Sequence, residues 1–303
     1  MDISIVIPVY NGEKTLEALH SEIVSYCNEA QLKYEIVFVN DCGPDNSITV
    51  LKKLQKSFPE QIKLIELTRN YGQHNAIIAG FSVCEGDLIV TMDEDLQHQP
   101  KDIQKLLEKQ QEGDYDVVYG VNATLEHSKF RNITSRIMKK VLSYAIENLH
   151  KDYSAFRLIK KDIALQLIEM RNSYTFLDGY LSWITNNVSS TTVEHKERFA
   201  GESSYTMKKL IEHSINILFT FSNIPIRILS YSSIIIFLVT LVYSIYIVVR
   251  KLLYDDLIAG FPTLIIAIGL GMSALLLGLG IVGEYLYRIN LKTTKRPNYT
   301  IKK

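Results

Sequence analysis

Over the first 120 residues, short runs rich in β-branched and aliphatic residues alternate with longer stretches whose apolar positions recur at helical spacing. The runs predict strands at Ile3 to Ile7, Tyr34 to Asn40, Ile62 to Leu67, Asp87 to Met92 and Asp116 to Tyr119. Helices are expected between them, at Lys14 to Ala30, Asn46 to Ser57, Asn75 to Cys84 and Lys101 to Gln111, with Pro100 suited to the first turn of the last. Strand and helix in strict alternation imply an α/β unit, a mostly parallel sheet flanked by helices.

The period loosens between about residues 125 and 227. Lys129, Arg131, Arg136, Lys139 and Lys140 mix there with Ile133, Ile137, Val141 and Leu142. Either a basic interfacial helix or an ordinary surface helix accounts for that mixture. Two uncharged runs follow, the 22 residues Ile228 to Val249 and the 27 residues Leu257 to Gly283. At about 1.5 Å per residue each exceeds the roughly 30 Å of a bilayer's hydrocarbon core, so two transmembrane helices are expected within residues 228–287. Arg288, Lys292, Lys295, Arg296, Lys302 and Lys303 crowd the segment beyond them, against Arg250 and Lys251 in the connection. The positive-inside bias then places a domain of residues 1–227 and a basic tail of residues 288–303 on the cytoplasmic face of an inner membrane. Ala267, Gly271, Ala274 and Gly278 form a small-residue stripe, read either as a packing face, including one between subunits of a homo-oligomer, or as ordinary glycine usage in membrane helices.

Composition narrows the class of partner. With 303 residues, 47% of them hydrophobic, the chain can bury a large core. Its formal net charge of zero points away from nucleic acid. Cys27, Cys42 and Cys84 show neither disulfide nor zinc spacing, and the apolar start lacks the pattern of a cleaved leader.

Ligands of open parallel sheets bind beyond the carboxyl ends of the strands. Three polar clusters fall there: Pro8 to Glu13, Asn40 to Asp45, and Asp93 to Gln97. Asp93, Asp95 and Gln97 are hard oxygen donors of the kind Mg²⁺ or Mn²⁺ accepts alongside substrate phosphates. A D-x-D pair by itself is a common acidic turn; its place at the end of the apolar run Leu88 to Met92 gives it meaning. No P-loop or dinucleotide glycine pattern follows any strand, and no histidines stand at H-x-x-x-H spacing.

Together these residues resemble the family-2 glycosyltransferases of the type-A nucleotide-sugar fold, in particular the polyprenyl-phosphate glycosyltransferases, which include bactoprenol glucosyltransferases and dolichol-phosphate mannose synthases. The similar segments are Ile5 to Asn11, Val39 to Ser47, Leu67 to Gly72 with Ala79 and Gly80, Asp93 to Gln97, Ser154 to Leu158 and Arg198 to Tyr205. Gly283 to Arg288, followed by Lys295 to Pro297, resembles the end of bacterial two-span members. The resemblance implies that Pro8, Tyr10, Glu13 and Asp41 hold base and ribose, that Arg69 and Ser203 also contact the donor, and that Asp93, Asp95 and Gln97 bind the metal. Asp95, Arg157 and Arg198 are implied in catalysis, the two arginines facing phosphates through their planar donor forks. Two departures stand out. Ser204 replaces a lysine, whose contact Lys208 or Lys209 would have to supply, and Glu94 replaces the usual alanine; if the strand continues that far, alternation turns Glu94 away from its neighbours. Glu284 and Arg288, four apart, are expected to form a helix-end pair.

The implied activity is an inverting, metal-dependent transfer of one sugar from a UDP-hexose, such as UDP-glucose, to undecaprenyl phosphate in cell-envelope glycan assembly or modification. Rival readings are a GDP-mannose-dependent dolichol-phosphate-type enzyme, a processive polysaccharide synthase, and a scaffold subunit without catalysis. The synthase reading lacks its Q-x-x-R-W motif, since Trp183, the only tryptophan, follows Leu181 and Ser182.

Overall fold

Alternation of side chains within the strands divides the protein into two cores, one on each face of a single sheet. The computed structural model describes residues 2–122, 142–144, 146–170, 174–194, 207–254, 260–293 and 297–302. The strands are β1 (Ile3–Val9), β2 (Tyr34–Asn40), β3 (Ile62–Glu66), β4 (Leu88–Thr91), β5 (Val117–Asn122), β6 (Arg157–Lys160) and β7 (Val188–Val193). They lie in the order β3-β2-β1-β4-β6-β5-β7. The helices are α1 (Leu16–Glu29), α2 (Ser47–Ser57), α3 (Gln73–Phe81), α4 (Ile103–Gly113), α5 (Lys161–Glu169), α6 (Leu177–Ile184), α7 (Met207–Phe221), α8 (Ile224–Tyr254) and α9 (Phe261–Thr293).

Ile3, Ile5, Ile7, Ile36, Phe38, Val90, Val118 and Leu158 point to one face, where α1, α2 and α4 cover them. Val6, Val37, Val39, Ile65, Ile89, Val117 and Ile159 point to the other, beneath α3, α5, α6 and α7. This period of two, covered on both sides, is what buries β1 and β2 along their whole length. The five strands and four helices expected in the first 120 residues are all present, with ends shifted by a few residues. Pro100 opens a 3₁₀ turn, Pro100–Asp102, that leads into α4.

The later region departs from expectation. Residues 154–193, read as irregular, supply two more strands. β6 runs antiparallel to both neighbours, β4 and β5, and β7 pairs parallel with β5. Neither carries a clear apolar signature: β6 has four residues and begins on a buried arginine, while β7 is the serine- and threonine-rich edge strand VSSTTV. The expected interfacial helix falls largely on residues 123–141, outside the described residues.

The two expected spans lie within α8, of 31 residues, and α9, of 33 residues, apart from the start of the second, which lies outside the described residues. The side chains of both helices are described only in part, and on the described residues alone no helix is long and apolar enough to cross a membrane. Glu284 and Arg288 form the expected ion pair at 2.6 Å. Arg288 also reaches α7, donating to Thr220 Oγ1 at 2.9 Å and Asn216 Oδ1 at 3.2 Å. The segment read as a basic tail is in part packed against the rest of the fold. Its first residues continue α9 to Thr293, and residues 297–302 return to the sheet, where Leu67 and Ile301 form an antiparallel bridge.

Candidate active site

β1 lies between β2 and β4, so the chain steps outward in one direction through β2 and β3 and then crosses to the other side of β1. A crevice opens beyond the carboxyl ends of the strands at such a reversal. The loops after β1, β2, β3 and β4 meet there, tied to one another by hydrogen bonds from backbone amides to acidic side chains.

Glu94, in the loop after β4, accepts from the amides of Tyr10 at 3.1 Å and Asn11 at 3.0 Å in the loop after β1. β4 ends at Thr91, three residues before Glu94, so strand alternation does not set its direction; the carboxylate is placed by the loop and serves the neighbouring loop's amides. Burial pushes its pKa from the ordinary 4.5 up to about 7, opposed by the two amides and reinforced by Asp45 and Asp93. Asp41, only 3% exposed, accepts from the amides of Tyr71 at 2.7 Å and Gly72 at 2.8 Å, joining the loops after β2 and β3. Its pKa is raised by burial against the pull of those amides. The first and second loops join where Gly12 N donates to Ser47 Oγ at 2.9 Å and Glu13 N donates to Asp45 Oδ2 at 2.9 Å. Gly43 comes so close to Tyr10 that a Cβ would sit 1.7 Å from its carbonyl oxygen, so only glycine fits.

The expected donor residues are thus brought to one edge in different roles. Pro8 is buried within β1, paired in register with Val39. Tyr10 is 44% exposed and free to offer its ring. Glu13 accepts from Asn46 N at 3.3 Å, and Arg69 lies exposed with its guanidinium 4.7 Å from the Tyr71 ring centroid. Asp41 turns both oxygens on loop amides and so shapes the pocket wall as much as it presents a ligand.

Asp93, Asp95 and Gln97 are half-buried in the loop after β4. Asp93 Oδ1 accepts from Gln73 Nε2 at 2.5 Å, and Asp95 Oδ1 accepts from Gln97 N at 3.2 Å. Leu96, between them, adopts φ 60°, a left-handed conformation costing roughly 1–2 kcal/mol, and its side chain is buried. Among the described residues, no three His, Cys, Asp or Glu side chains converge as a ready-made metal cage. The donor set nevertheless fits a hard cation that arrives with its substrate, because Mg²⁺ takes one or two carboxylates and completes its shell with phosphates and water.

Arg157 departs from expectation. Antiparallel pairing sets it beside Thr91, at the carboxyl end of β4, and Tyr119, midway along β5. Its side chain is 1% exposed and turns into the core beneath α6, donating to Asp178 Oδ1 at 2.5 Å. Tyr119 donates its hydroxyl to the same oxygen at 2.9 Å. As it stands, the Arg157 guanidinium neutralises the buried Asp178 carboxylate. Arg198 and Ser203 lie outside the described residues, as does Ser204. Sequence reasoning missed Gln73, Ser47 and Asp178. Ser47 carried the one available signal, a hydroxyl at the first position of α2; nothing marked the other two, whose roles depend on contacts distant in sequence.

This sheet order, with an acidic loop at the strand reversal, defines an open α/β fold whose ligand crevice lies beyond the carboxyl ends of the strands. The family model for glycosyl transferase family 2 matches residues 4–167, and the chain belongs to that family. It is 34% identical to the undecaprenyl-phosphate 4-deoxy-4-formamido-L-arabinose transferase of Yersinia pestis (strain Pestoides F), over 99% of this chain and 93% of that protein. It is 32% identical, with the same coverage, to the uncharacterized glycosyltransferase YkcC of Bacillus subtilis (strain 168). Among solved structures, the glucosyl-3-phosphoglycerate synthase of Mycobacterium tuberculosis, in complex with Mn²⁺, UDP-glucose and phosphoglyceric acid, superposes with a TM-score of 0.52 at 13% identity, covering 72% of this chain and 77% of that one. The mannosyl-3-phosphoglycerate synthase of Rubrobacter xylanophilus gives the same TM-score and identity, over 72% of each chain. At that identity the likeness establishes the fold.

Two expectations follow from the geometry. Because the folded pKa of Glu94 is raised, the folded state binds the extra proton, and its contribution to stability falls as pH rises from 4.5 through about 7. Melting temperatures of the metal-free protein at pH 5 and pH 7.5 should therefore diverge less for Glu94→Gln than for wild type; equal slopes would discard this assignment. Arg157→Met should lower the unfolding free energy by about 3–5 kcal/mol by stranding Asp178, with part of the loss recovered in Arg157→Met/Asp178→Leu. No recovery in denaturant titrations would mean the pair is not the cause.

Proposed function

We propose that this glycosyltransferase moves a single sugar from a nucleotide diphosphate sugar to polyprenyl phosphate, at the cytoplasmic face of an inner membrane, with Mg²⁺ or Mn²⁺. The observation that carries the reading is the position of Asp93 and Asp95 at the strand reversal, in a loop pinned from both sides by Glu94 and Gln73. The lipid acceptor is supported by the name of the Yersinia relative, which aligns over nearly the whole chain. The donor is a UDP-sugar: a hexose on the sequence reading, with 4-deoxy-4-formamido-L-arabinose the specific competitor raised by that relative. GDP-mannose is the remaining alternative.

Asp93, Asp95 and Gln97 would hold the cation, which supplies charge neutralisation for the diphosphate as it leaves. The chain's own task is then placement. Tyr10 offers an aromatic face for the base, and the braced loops fix the width of the crevice. Arg198, and Arg157 if it leaves Asp178, are the candidates for phosphate contacts. No protein base is required, because a phosphomonoester with a second pKa of about 6 already carries nearly two charges at pH 7 and is itself the nucleophile. Attack on the face opposite the leaving diphosphate gives inversion.

The membrane assignment rests on the uncharged runs of 22 and 27 residues and on the apolar side chains that α8 and α9 leave exposed, among them Ile228, Ile235, Val242, Leu264, Leu275 and Leu279. The return of residues 297–302 to the sheet supports a hairpin with both ends on one side. A Cβ on Gly271 would meet nothing within 4 Å, which leaves that part of the small-residue stripe open for a second subunit.

Purified protein incubated with UDP-hexoses, UDP-4-deoxy-4-formamido-L-arabinose or GDP-mannose, together with undecaprenyl phosphate, should give one glycosyl phospholipid with release of the nucleoside diphosphate. Asp95→Ala should abolish nearly all of it while leaving the melting temperature unchanged, and undiminished, metal-independent turnover by that variant would remove the site. Reporter fusions at residue 227 and at the C-terminus should both read cytoplasmic; opposite sides would break the hairpin assignment.

A further inference from the structure

β3 is an edge strand, and the chain just beyond it is paired by the C-terminal segment. Thr68 N donates to Thr300 O at 3.0 Å, and Lys302 N donates to Glu66 O at 2.7 Å. Asn298 Nδ2 donates to Met170 O at 2.7 Å, and Tyr299 packs on the core beneath α3. The Tyr71 hydroxyl shares a hydrogen bond with Thr68 Oγ1 at 3.1 Å, and Thr300 lies near enough to help lower its pKa. The next contact along this chain of bonds is the pair of amides, Tyr71 N and Gly72 N, that fixes Asp41. Gly72 itself sits at φ 86°, directly before α3, so the loop enters its helix through a conformation with little intrinsic preference. A segment more than 220 residues away in sequence thus closes the outer side of the loop that forms one wall of the crevice.

We propose that residues 298–302 are a positioning clamp for the sugar-nucleotide donor, holding the loop Thr68–Gly72 so that Asp41 and Tyr71 keep the geometry that receives the nucleotide. The inference rests on the reading above that this crevice takes the donor. It assigns the tail no contact with substrate. Its action is through backbone pairing, with the charge of Lys302 incidental: Lys302 Nζ lies 3.9 Å from Glu66, whose carboxylate Lys52 already pairs at 2.8 Å. Because the clamp begins only a few residues after α9, donor affinity is tied to the seating of the helix pair.

The test compares the full-length wild type with Lys302→Pro, Lys302→Ala and Thr300→Val. Proline removes the amide that bonds Glu66 while favouring the extended backbone Ile301 already has. Alanine keeps that amide and removes the charge. Two readouts are taken: hydrogen exchange at the Tyr71 and Gly72 amides, and calorimetric binding of UDP and of GDP, each with Mn²⁺. In Lys302→Pro, exchange at both amides should rise and nucleotide affinity should fall about tenfold, the scale of losing one or two backbone bonds. Thr300→Val should show a smaller change in the same direction, and Lys302→Ala should match wild type. In turnover, KM for the donor should rise while KM for the acceptor holds. Unchanged exchange in Lys302→Pro overturns the clamp, as does faster exchange with undiminished nucleotide binding, or an equal loss in Lys302→Ala. Failure of wild type to bind either nucleotide would instead strike the donor reading of the crevice and the donor half of this proposal with it, while the exchange comparison still reports whether the tail holds the loop.

Discussion

Carboxylates bonded to backbone amides hold the upper edge of this sheet together. Asp41 and Glu94 each receive two amides from a neighbouring loop, and both are largely withdrawn from water. A carboxylate in that setting gains charge-assisted hydrogen bonds that offset its desolvation, and it leaves no orphan donor in a loop with no ladder to join. Four loops that would otherwise fluctuate separately become one wall. The left-handed turns at Cys42 and Leu96 persist because the surrounding bonds outweigh their cost.

Such a wall suits chemistry in which both charged partners come from the substrates. On the proposed reading the protein supplies two carboxylates at the strand reversal and leaves the remaining cation ligands to a diphosphate, and the nucleophile is the acceptor's own phosphate. What remains for the protein is orientation, the contribution that rigid loops make best. The buried Arg157–Asp178 pair fits the same account. It joins the start of β6 to α6 just below the active edge, so it steadies the floor of the crevice whether or not the arginine ever meets a phosphate.

The C-terminal part extends the bracing outward. α9 is tied to α7 through Arg288, and the segment beyond it is tied to β3 through Glu66 and Thr68. If α8 and α9 lie in the bilayer, the catalytic domain is fastened to them at both ends, at the α7–α8 junction and at the tail. Two attachments restrict the domain's rotation over the membrane, which matters for an acceptor whose headgroup is confined to that plane.

Local sequence was enough for the first half of the fold. Buried parallel strands need continuous apolar runs and amphipathic helices need apolar faces, so β1 to β5 and α1 to α4 were legible wherever a run was long enough to carry its period. The D-x-D loop was legible too, because its place after β4 follows from the strand. β6 and β7 were not, since four residues led by an arginine, or an edge rich in serine and threonine, carry no periodic signal and become strands only through the neighbours that pair with them. The same holds within the site. Residue types at Asp41, Glu94 and Arg157 marked chemistry, but whether each faces a ligand, a loop amide or a buried partner depends on residues 30, 84 and 21 positions away. Sequence alone determined which groups stand at the ends of the strands, because that is set by local periodicity. Only the tertiary structure decided which of them bind and which brace, and that Thr300 lies against Tyr71, because those outcomes come from contacts between segments whose separation along the chain leaves no local trace.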